Sequence, residues 1–278
     1  MSPFELKDKV AIITGGGTGL GKAMALALAR AGADIAVAAR RVAPIEQTAR
    51  EITDLGRKAL AITTDVTDSS QVNRLVEQTL SQLGRIDILI NNAGIVRGQR
   101  MKPIWEITDE EWRLGIDVNL SSAFFCCRAV GQHFTGKNSG KIINVSSGEG
   151  FRGIRDSFMY TCAKGGVVQL TRTLALTWAP YNIQVNCIVP GFTNTAEFQP
   201  EEIRQAMEQA RGAGFGRVFV PVGRLGVPDD IASLALFLAS GASDYITGGC
   251  FIADGGGLAG GFATTGYAPV ITIREGLA

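Results

Sequence analysis

The chain has 278 residues, 46% of them hydrophobic and 19% charged, with 27 Lys plus Arg against 26 Asp plus Glu. That length fits one large domain or two small ones, with apolar residues enough for a sizeable core. A net charge of +1 gives no reason to expect a nucleic-acid partner, and no apolar run reaches membrane-spanning length.

Short apolar runs alternate with longer amphipathic ones. KVAIIT at 9–14 reads as a buried strand, followed by a helix over 18–31. Strands at 33–39, 58–64 and 85–91 follow, with helices over 43–55 and 69–83 between them. A long helix is expected over about 109–135, then a strand at 140–146, a helix over 158–179 and a strand at 182–189. A loop with helices spans about 193–212, a helix covers 228–239, and GGCFIAD at 248–254 makes a seventh strand. Near-continuous apolar strands between helices imply a parallel sheet covered on both faces. Repeated strand–helix units imply an α/β, doubly wound Rossmann architecture on a seven-stranded parallel sheet. No linker splits the chain, so residues 1–278 read as a single domain. It has a substrate loop or lid at about 193–220 and a tail from about 258.

The single histidine, His133, rules out a zinc site built on several histidines and would have to serve any Ser-His-Asp mechanism. It falls late in a helical stretch, where a surface or packing role is expected. Cys126, Cys127, Cys162, Cys187 and Cys250 have neither metal-ligand spacing nor a paired framework. They read as reduced thiols of a cytoplasmic protein. The polar start MSPFELKDK does not fit a signal peptide.

TGGGTGLG at 14–21 follows the first strand and opens the first helix. Gly15, Gly19 and Gly21 allow a tight turn and close backbone approach to a pyrophosphate. The helix N-terminus offers free N–H groups and the positive end of a dipole to that anion. The second strand ends on Ala39, Arg40 and Arg41, with no carboxylate to hold a ribose 2′-hydroxyl. A guanidinium suits a 2′-phosphate, so NADP(H) is favoured over NAD(H). Asn92, Ala93 and Gly94 close the fourth strand, where small residues let a ligand lie against the backbone. In YTCAK, Tyr160 and Lys164 stand at i and i+4 on one helix face.

Taken in order, Thr14-Gly15-x-x-x-Gly19-x-Gly21, Asn91-Asn92-Ala93-Gly94, the serine of NVSSGEG, Tyr160-x-x-x-Lys164 and PGFTNT resemble the short-chain dehydrogenase/reductase family. The resemblance runs from about residue 6 to Gly256. It implies Tyr160 as general acid/base, with Lys164 lowering a phenol pKa that is otherwise near ~10. It also implies that Lys164 binds the nicotinamide ribose. Of Ser146 and Ser147, the family's spacing selects Ser147, thirteen residues before Tyr160, to hold the substrate oxygen. Asn119 matches the asparagine that holds a water in a proton relay to the lysine. Thr18 and Leu20 complete the cofactor loop, and Asp65 and Val66 match the adenine contact. Pro190, Gly191, Thr193 and Thr195 match the segment that meets the nicotinamide carboxamide.

The activity so implied is interconversion of a carbonyl and a secondary alcohol by hydride transfer. The alternatives are an NAD(H)-dependent sugar-acid or polyol dehydrogenase, or a non-catalytic cofactor sensor. A hydrolase is disfavoured because VSSGEG is not a nucleophile elbow. Pocket candidates are Val96, Arg97, Gly148, Glu149, Phe151, Arg152, Arg155, Phe158, Phe192, Phe198, Phe215 and Phe219, a mixture of charge and aromatics. The positions where carrier-protein reductases of the family place docking arginines are Asn138 and Tyr181, neither basic. The chain is also similar in general terms to gluconate-type sugar-acid dehydrogenases. Family members commonly form homotetramers or homodimers, which is the assembly expected here.

Overall fold

The computed structural model describes residues 2–95, 103–154, 156–195 and 220–261. Seven strands form one parallel sheet in the order β3-β2-β1-β4-β5-β6-β7. They are β1 Val10–Thr14, β2 Asp34–Ala39, β3 Ala59–Thr63, β4 Ile88–Asn91, β5 Gly140–Val145, β6 Ile183–Pro190 and β7 Cys250–Ala253. The helices that matter here are α1 Gly19–Arg30, α2 Val42–Asp54, α3 Ser69–Leu83, α4 Asp109–Ile116, α5 Ser122–Lys137, α6 Phe158–Trp178 and α7 Pro228–Ala239. The expected fold is therefore the observed one.

Strand alternation sorts side chains into two cores. Ala11 and Ile13 of β1 face one side, with Met24 and Leu28 of α1, Ile45 of α2 and Leu238 of α7. Ile12 faces the other, with Leu75 of α3 and Cys126, Val130 and Phe134 of α5. Because both faces are covered, every residue of β1 is buried. Burying such strands stabilises the fold by roughly 25 cal/mol per Å² of apolar surface removed from water.

Local signals fix the helix ends. Asp68 caps α3 by accepting from the Ser70 amide at 2.8 Å, and Gly84 ends it at φ 80°. Thr108 and Glu111 form a reciprocal capping box on α4. His133 has a packing role: its Nε2 lies 3.1 Å from the Ile86 carbonyl and ties α5 to the chain entering β4.

Three expectations are corrected. β4 begins at Ile88 rather than residue 85, because the Asp87 carboxylate takes the Val10 amide (3.0 Å) and Arg85 turns back onto it. β7 is shorter than 248–254, since Gly248 holds a left-handed φ of 75°. The long helix over 109–135 is interrupted by a π-helical turn, Asp117–Ser121. There the Asn119 amide donates to the Gly115 carbonyl at 3.0 Å, so a side chain joins the backbone ladder and widens it. The helices expected within 196–212, the lid to 219 and the tail beyond 261 lie outside the described residues.

Candidate active site

The sheet order reverses between β1 and β4, so the loops after these strands face each other at the carboxyl edge. Thr14 joins them. Its hydroxyl accepts from the amides of Asn92 (3.0 Å) and Ala93 (3.1 Å). Asn92 Nδ2 returns a bond to the Thr14 carbonyl at 3.0 Å. Gly15 sits at φ 65°, and a Cβ there would stand 2.8 Å from Asn92 Nδ2. Gly21 packs directly on the Gly15 carbonyl, which leaves no room for a side chain. Thr18 is the extended N-cap of α1, whose first turn, containing Leu20, has no acidic residue. This cradle, with an uncancelled positive helix end, fits an anionic dinucleotide. Arg40 and Arg41 are exposed where β2 leaves the sheet, and the same turn brings Pro44 against Gly17.

The π-helical turn aims Asn119 at the loop after β4. Its Oδ1 accepts the Ile95 amide at 3.0 Å and its Nδ2 donates to the Ile95 carbonyl at 3.2 Å. A Cβ on Gly94 would lie 2.9 Å from Asn119 Oδ1 and 3.5 Å from Lys164 Nζ. Gly94 thus keeps open a small space walled by an amide oxygen and an ammonium.

β5 and α6 supply the remaining groups. Ser146 is buried, and its hydroxyl donates to the Lys164 carbonyl at 2.8 Å. Ser147 hydrogen-bonds the Tyr160 hydroxyl instead. Burial pushes the Tyr160 phenol up to about 12, while Ser147 pulls it down and the Glu149 charge adds to the rise. Lys164 is 4% exposed, and its Nζ donates to the Val145 carbonyl at 3.0 Å, 5.5 Å from the Tyr160 ring centroid. Burial pulls that ammonium down to about 8. The structure therefore brings Asn119, Ser147, Tyr160, Lys164 and Gly94 into one cluster.

Other expected positions are less central. Asp65 spends its carboxylate on Thr67, accepting from the amide (3.0 Å) and hydroxyl (2.7 Å), and Val66 is buried in the core. Gly191, after Pro190, passes so close to the chain leaving β7 that a Cβ would stand 2.6 Å from the Asp254 Cα. Thr193 is buried and bridges to Gly226. The Thr195 methyl faces Gly19, 3.5 Å from where a Cβ would stand, so the loop after β6 reaches the glycine turn. Val96, Arg97, Arg155, Phe198, Phe215 and Phe219 lie outside the described residues.

The supporting roles of three residues emerge only in the folded chain. Thr14 belongs to the glycine motif, but that motif does not reveal that it holds the two loops together. Asn144 is wholly buried and links Asn91 to Thr171, both at 2.9 Å, a polar rung that an asparagine inside IINV signals. Glu149 ties the turn after Ser147 to α6, accepting from Ser157 (2.9 Å) and Thr161 (3.2 Å).

Comparison with known proteins identifies the family. A family model described as short chain dehydrogenase matches residues 9–206. The chain is 40% identical to 2-dehydro-3-deoxy-D-gluconate 5-dehydrogenase of Escherichia coli K12, over 93% of this chain and 99% of that one. It is 36% identical to the 3-oxoacyl-acyl-carrier-protein reductase FabG of Chlamydia muridarum, covering 90% and 98% respectively. Among solved structures, it is 38% identical to an NADP-bound Agrobacterium tumefaciens protein described as a candidate 2-deoxy-D-gluconate 3-dehydrogenase. That match has a TM-score of 0.81 and covers 93% of this chain and all of that one. With a seven-stranded parallel sheet, a glycine cradle at its switch point and these relatives, the chain belongs to the short-chain dehydrogenase/reductase family and is an NAD(P)-dependent oxidoreductase.

Proposed function

We propose that this protein is an NADP(H)-dependent oxidoreductase that interconverts a ketone and a secondary alcohol on a sugar-acid substrate, with Tyr160 as general acid/base. The observation that carries the reading is the Ser147–Tyr160 hydroxyl pair standing over the buried Lys164 ammonium. Gly15, Thr18, Gly19, Leu20, Asn92, Ala93 and Gly94 would hold the cofactor, with Pro190, Gly191, Thr193 and Thr195 closing its far side. When bound, the nicotinamide supplies the hydride to the carbonyl carbon, or removes it from the alcohol carbon.

The chain's own groups handle the proton. In reduction, Tyr160 Oη donates its proton to the carbonyl oxygen, while Ser147 Oγ donates a hydrogen bond to the same oxygen. Two donors aimed at that atom stabilise the charge that develops on it. The phenolate left behind is costly, since burial, eased by Ser147 and reinforced by the Glu149 charge, holds the phenol near 12. The Lys164 ammonium offsets that cost through charge. Asn119 holds the Ile95 backbone at the mouth of the space beside Lys164, where a relay water would return the proton.

The NADP(H) preference rests on Arg40 and Arg41 at the end of β2 and on the absence of a carboxylate there. NADP is the nucleotide bound in the Agrobacterium tumefaciens neighbour. The sugar-acid class is supported by the Escherichia coli relative, whose named substrate is a deoxy keto-gluconate. Asn138 and Tyr181, where carrier-docking arginines would be expected, weigh against a carrier-linked substrate.

The test is steady-state turnover of 2-dehydro-3-deoxy-D-gluconate and related sugar acids with NADP and NAD in parallel. Tyr160→Phe is expected to abolish turnover and keep NADPH affinity; a variant that keeps most of its turnover would overturn the assignment. Arg40→Ala is expected to weaken NADPH about tenfold and leave NADH unchanged. Equal losses for both would remove the cofactor argument.

A further inference from the structure

Two of the five cysteines are brought together by the sheet. Cys187 of β6 and Cys250 of β7 are direct register partners in adjacent parallel strands. The Cys187 amide donates to the Gly249 carbonyl at 2.9 Å, which fixes that register. The Cys187 thiol donates to the Ile188 carbonyl at 3.5 Å, and the two side chains pack in the same cluster. Neighbouring strands lie about 4.7–4.9 Å apart. That falls inside the Cα separation of about 4.4–6.8 Å that a disulfide bridges. Both side chains belong to one apolar cluster with Val167 of α6, Val189, Leu120 and Leu258.

The partners differ in access. Cys187 is fully buried, while Cys250 is only partly so. Pairing with the Cys187 thiol, assisted by the Arg172 guanidinium and opposed by burial, holds the Cys250 thiol below its ordinary value. Cys187 is pushed up by the same pairing and by burial. One more accessible thiol beside one sheltered thiol is the arrangement of an attacking and a resolving cysteine. The other thiols lack it. Cys126 and Cys127 are buried, and burial pushes Cys127 up to about 12 and Cys126 higher still. Cys162 is exposed, lies on α6 and has no register partner.

We propose that Cys187 and Cys250 form a peroxide-oxidisable dithiol site that closes to an intrachain disulfide. Cys250 Sγ attacks one oxygen of hydrogen peroxide, the O–O bond breaks, and hydroxide leaves, so Cys250 becomes a sulfenic acid. Cys187 Sγ then attacks Cys250 Sγ; the S–S bond forms, the S–O bond breaks, and the thiol proton leaves with hydroxide as water. In sum, two thiols and one hydrogen peroxide give one disulfide and two waters. Sulfur is oxidised and peroxide oxygen is reduced.

The consequence for the fold is local and directional. β6 continues into Pro190–Thr195, and β7 into Asp254–Leu258. Leu258 lies beside Gly148, next to Ser147, about 3.8 Å from where a Gly148 Cβ would stand. A bond between the strands fixes the spacing of the two loops that approach Gly19 and Ser147. The site does not rest on the proposed substrate or on Tyr160 chemistry.

The test is peptide mapping by mass spectrometry of the intact, folded protein after stoichiometric hydrogen peroxide, with the remaining thiols blocked before digestion. The expected result is a cross-linked peptide pair containing Cys187 and Cys250, lost on treatment with dithiothreitol. Cys250→Ser is expected to remove the cross-link and leave Cys187 as a free thiol. Cys187→Ala is expected to leave Cys250 as a trapped sulfenic acid that reacts with dimedone. Oxidation confined to Cys162, or irreversible oxidation of Cys250 with Cys187 still free in the unsubstituted protein, would overturn the proposal. A bridge joining two chains would overturn it as well. The readout is chemical, so a failed activity assay bears only on the proposed function.

Discussion

The Lys164 ammonium lies 5.5 Å from the centroid of the Tyr160 ring and donates to the Val145 carbonyl at 3.0 Å. Burial acts on the two groups in opposite directions. It pushes the phenol up to about 12 and pulls the amine down to about 8. Each is thereby biased toward its neutral form. Under the proposed mechanism, the charged pair is formed when the phenol gives up its proton, the moment at which the site needs it. A buried ammonium held by one carbonyl is a poor use of a lysine for stability alone.

Lys164→Met separates those two roles. The side chain keeps similar length and loses its charge. Turnover is expected to fall about 10²–10⁴-fold, the range general acid–base assistance covers. Thermal stability is expected to hold or rise, because a desolvated charge is removed. Steady-state kinetics and a melting curve on the same preparation check both. A large drop in Tm with little loss of turnover would make Lys164 a structural residue.

Gly94→Ala tests the space beside that lysine. The added methyl would stand 2.9 Å from Asn119 Oδ1 and 3.5 Å from Lys164 Nζ, so neighbours must shift. Overpacking of this kind costs about 1–3 kcal/mol. At about 2–4 °C per kcal/mol for a protein approaching this size, Tm is expected to fall by several degrees. Cofactor affinity, read by fluorescence titration, is expected to weaken at least tenfold. Unchanged affinity would show that the space is not used by a ligand.

Much of this was readable from the residues. The strand and helix pattern gave the doubly wound sheet, because period and burial are local properties of sequence. Tyr160 and Lys164 were legible because i and i+4 share a helix face. Choosing Ser147 over Ser146 needed family spacing, since adjacent serines look alike until the strand end turns. The break at Asn119 was not legible. DVNLSS has no proline or glycine, and the Asn119 side chain that joins the ladder at Gly115 is also held by Ile95, 24 residues away. The Cys187–Cys250 contact was hidden for the same reason: 63 residues separate partners that only strand register unites.

Asp87 governs a different property, resistance to acid. Its carboxylate accepts from the Val10 amide at 3.0 Å, from Arg85 at 2.7 Å and from Lys137 at 2.8 Å. Burial raises its pKa, but the two cations and the amide more than offset that, so the net direction is down. A depressed folded pKa means the group stabilises the fold above its unfolded value, near ~3.9, and that this is lost as pH falls through the folded value. Asp87→Ala is expected to lower stability at pH 7 by about 1–3 kcal/mol, the cost of orphaning a buried partner. It is also expected to flatten the decline of stability with acid below pH 4. Denaturant melts from pH 7 to pH 3 check both. A parallel loss at every pH would mean the carboxylate does not titrate in that window.

Glu149 tunes the proposed acid/base through charge. Its carboxylate holds Ser157 and Thr161 and contributes to raising the Tyr160 pKa, behind burial. Glu149→Gln keeps an oxygen acceptor for both hydroxyls and removes the charge. A negative neighbour disfavours the phenolate, so removing it lowers the phenol pKa. Alcohol oxidation requires the deprotonated phenol, so the rising limb of its pH–rate profile is expected to move to lower pH. The ketone-reduction profile is expected to lose activity at lower pH as well, because the acid form is depleted sooner. A double-limb measurement of kcat/KM from pH 5 to pH 10 in both directions reads the shift. A uniform drop with no movement of either limb would reduce Glu149 to a brace between the Ser147 turn and α6.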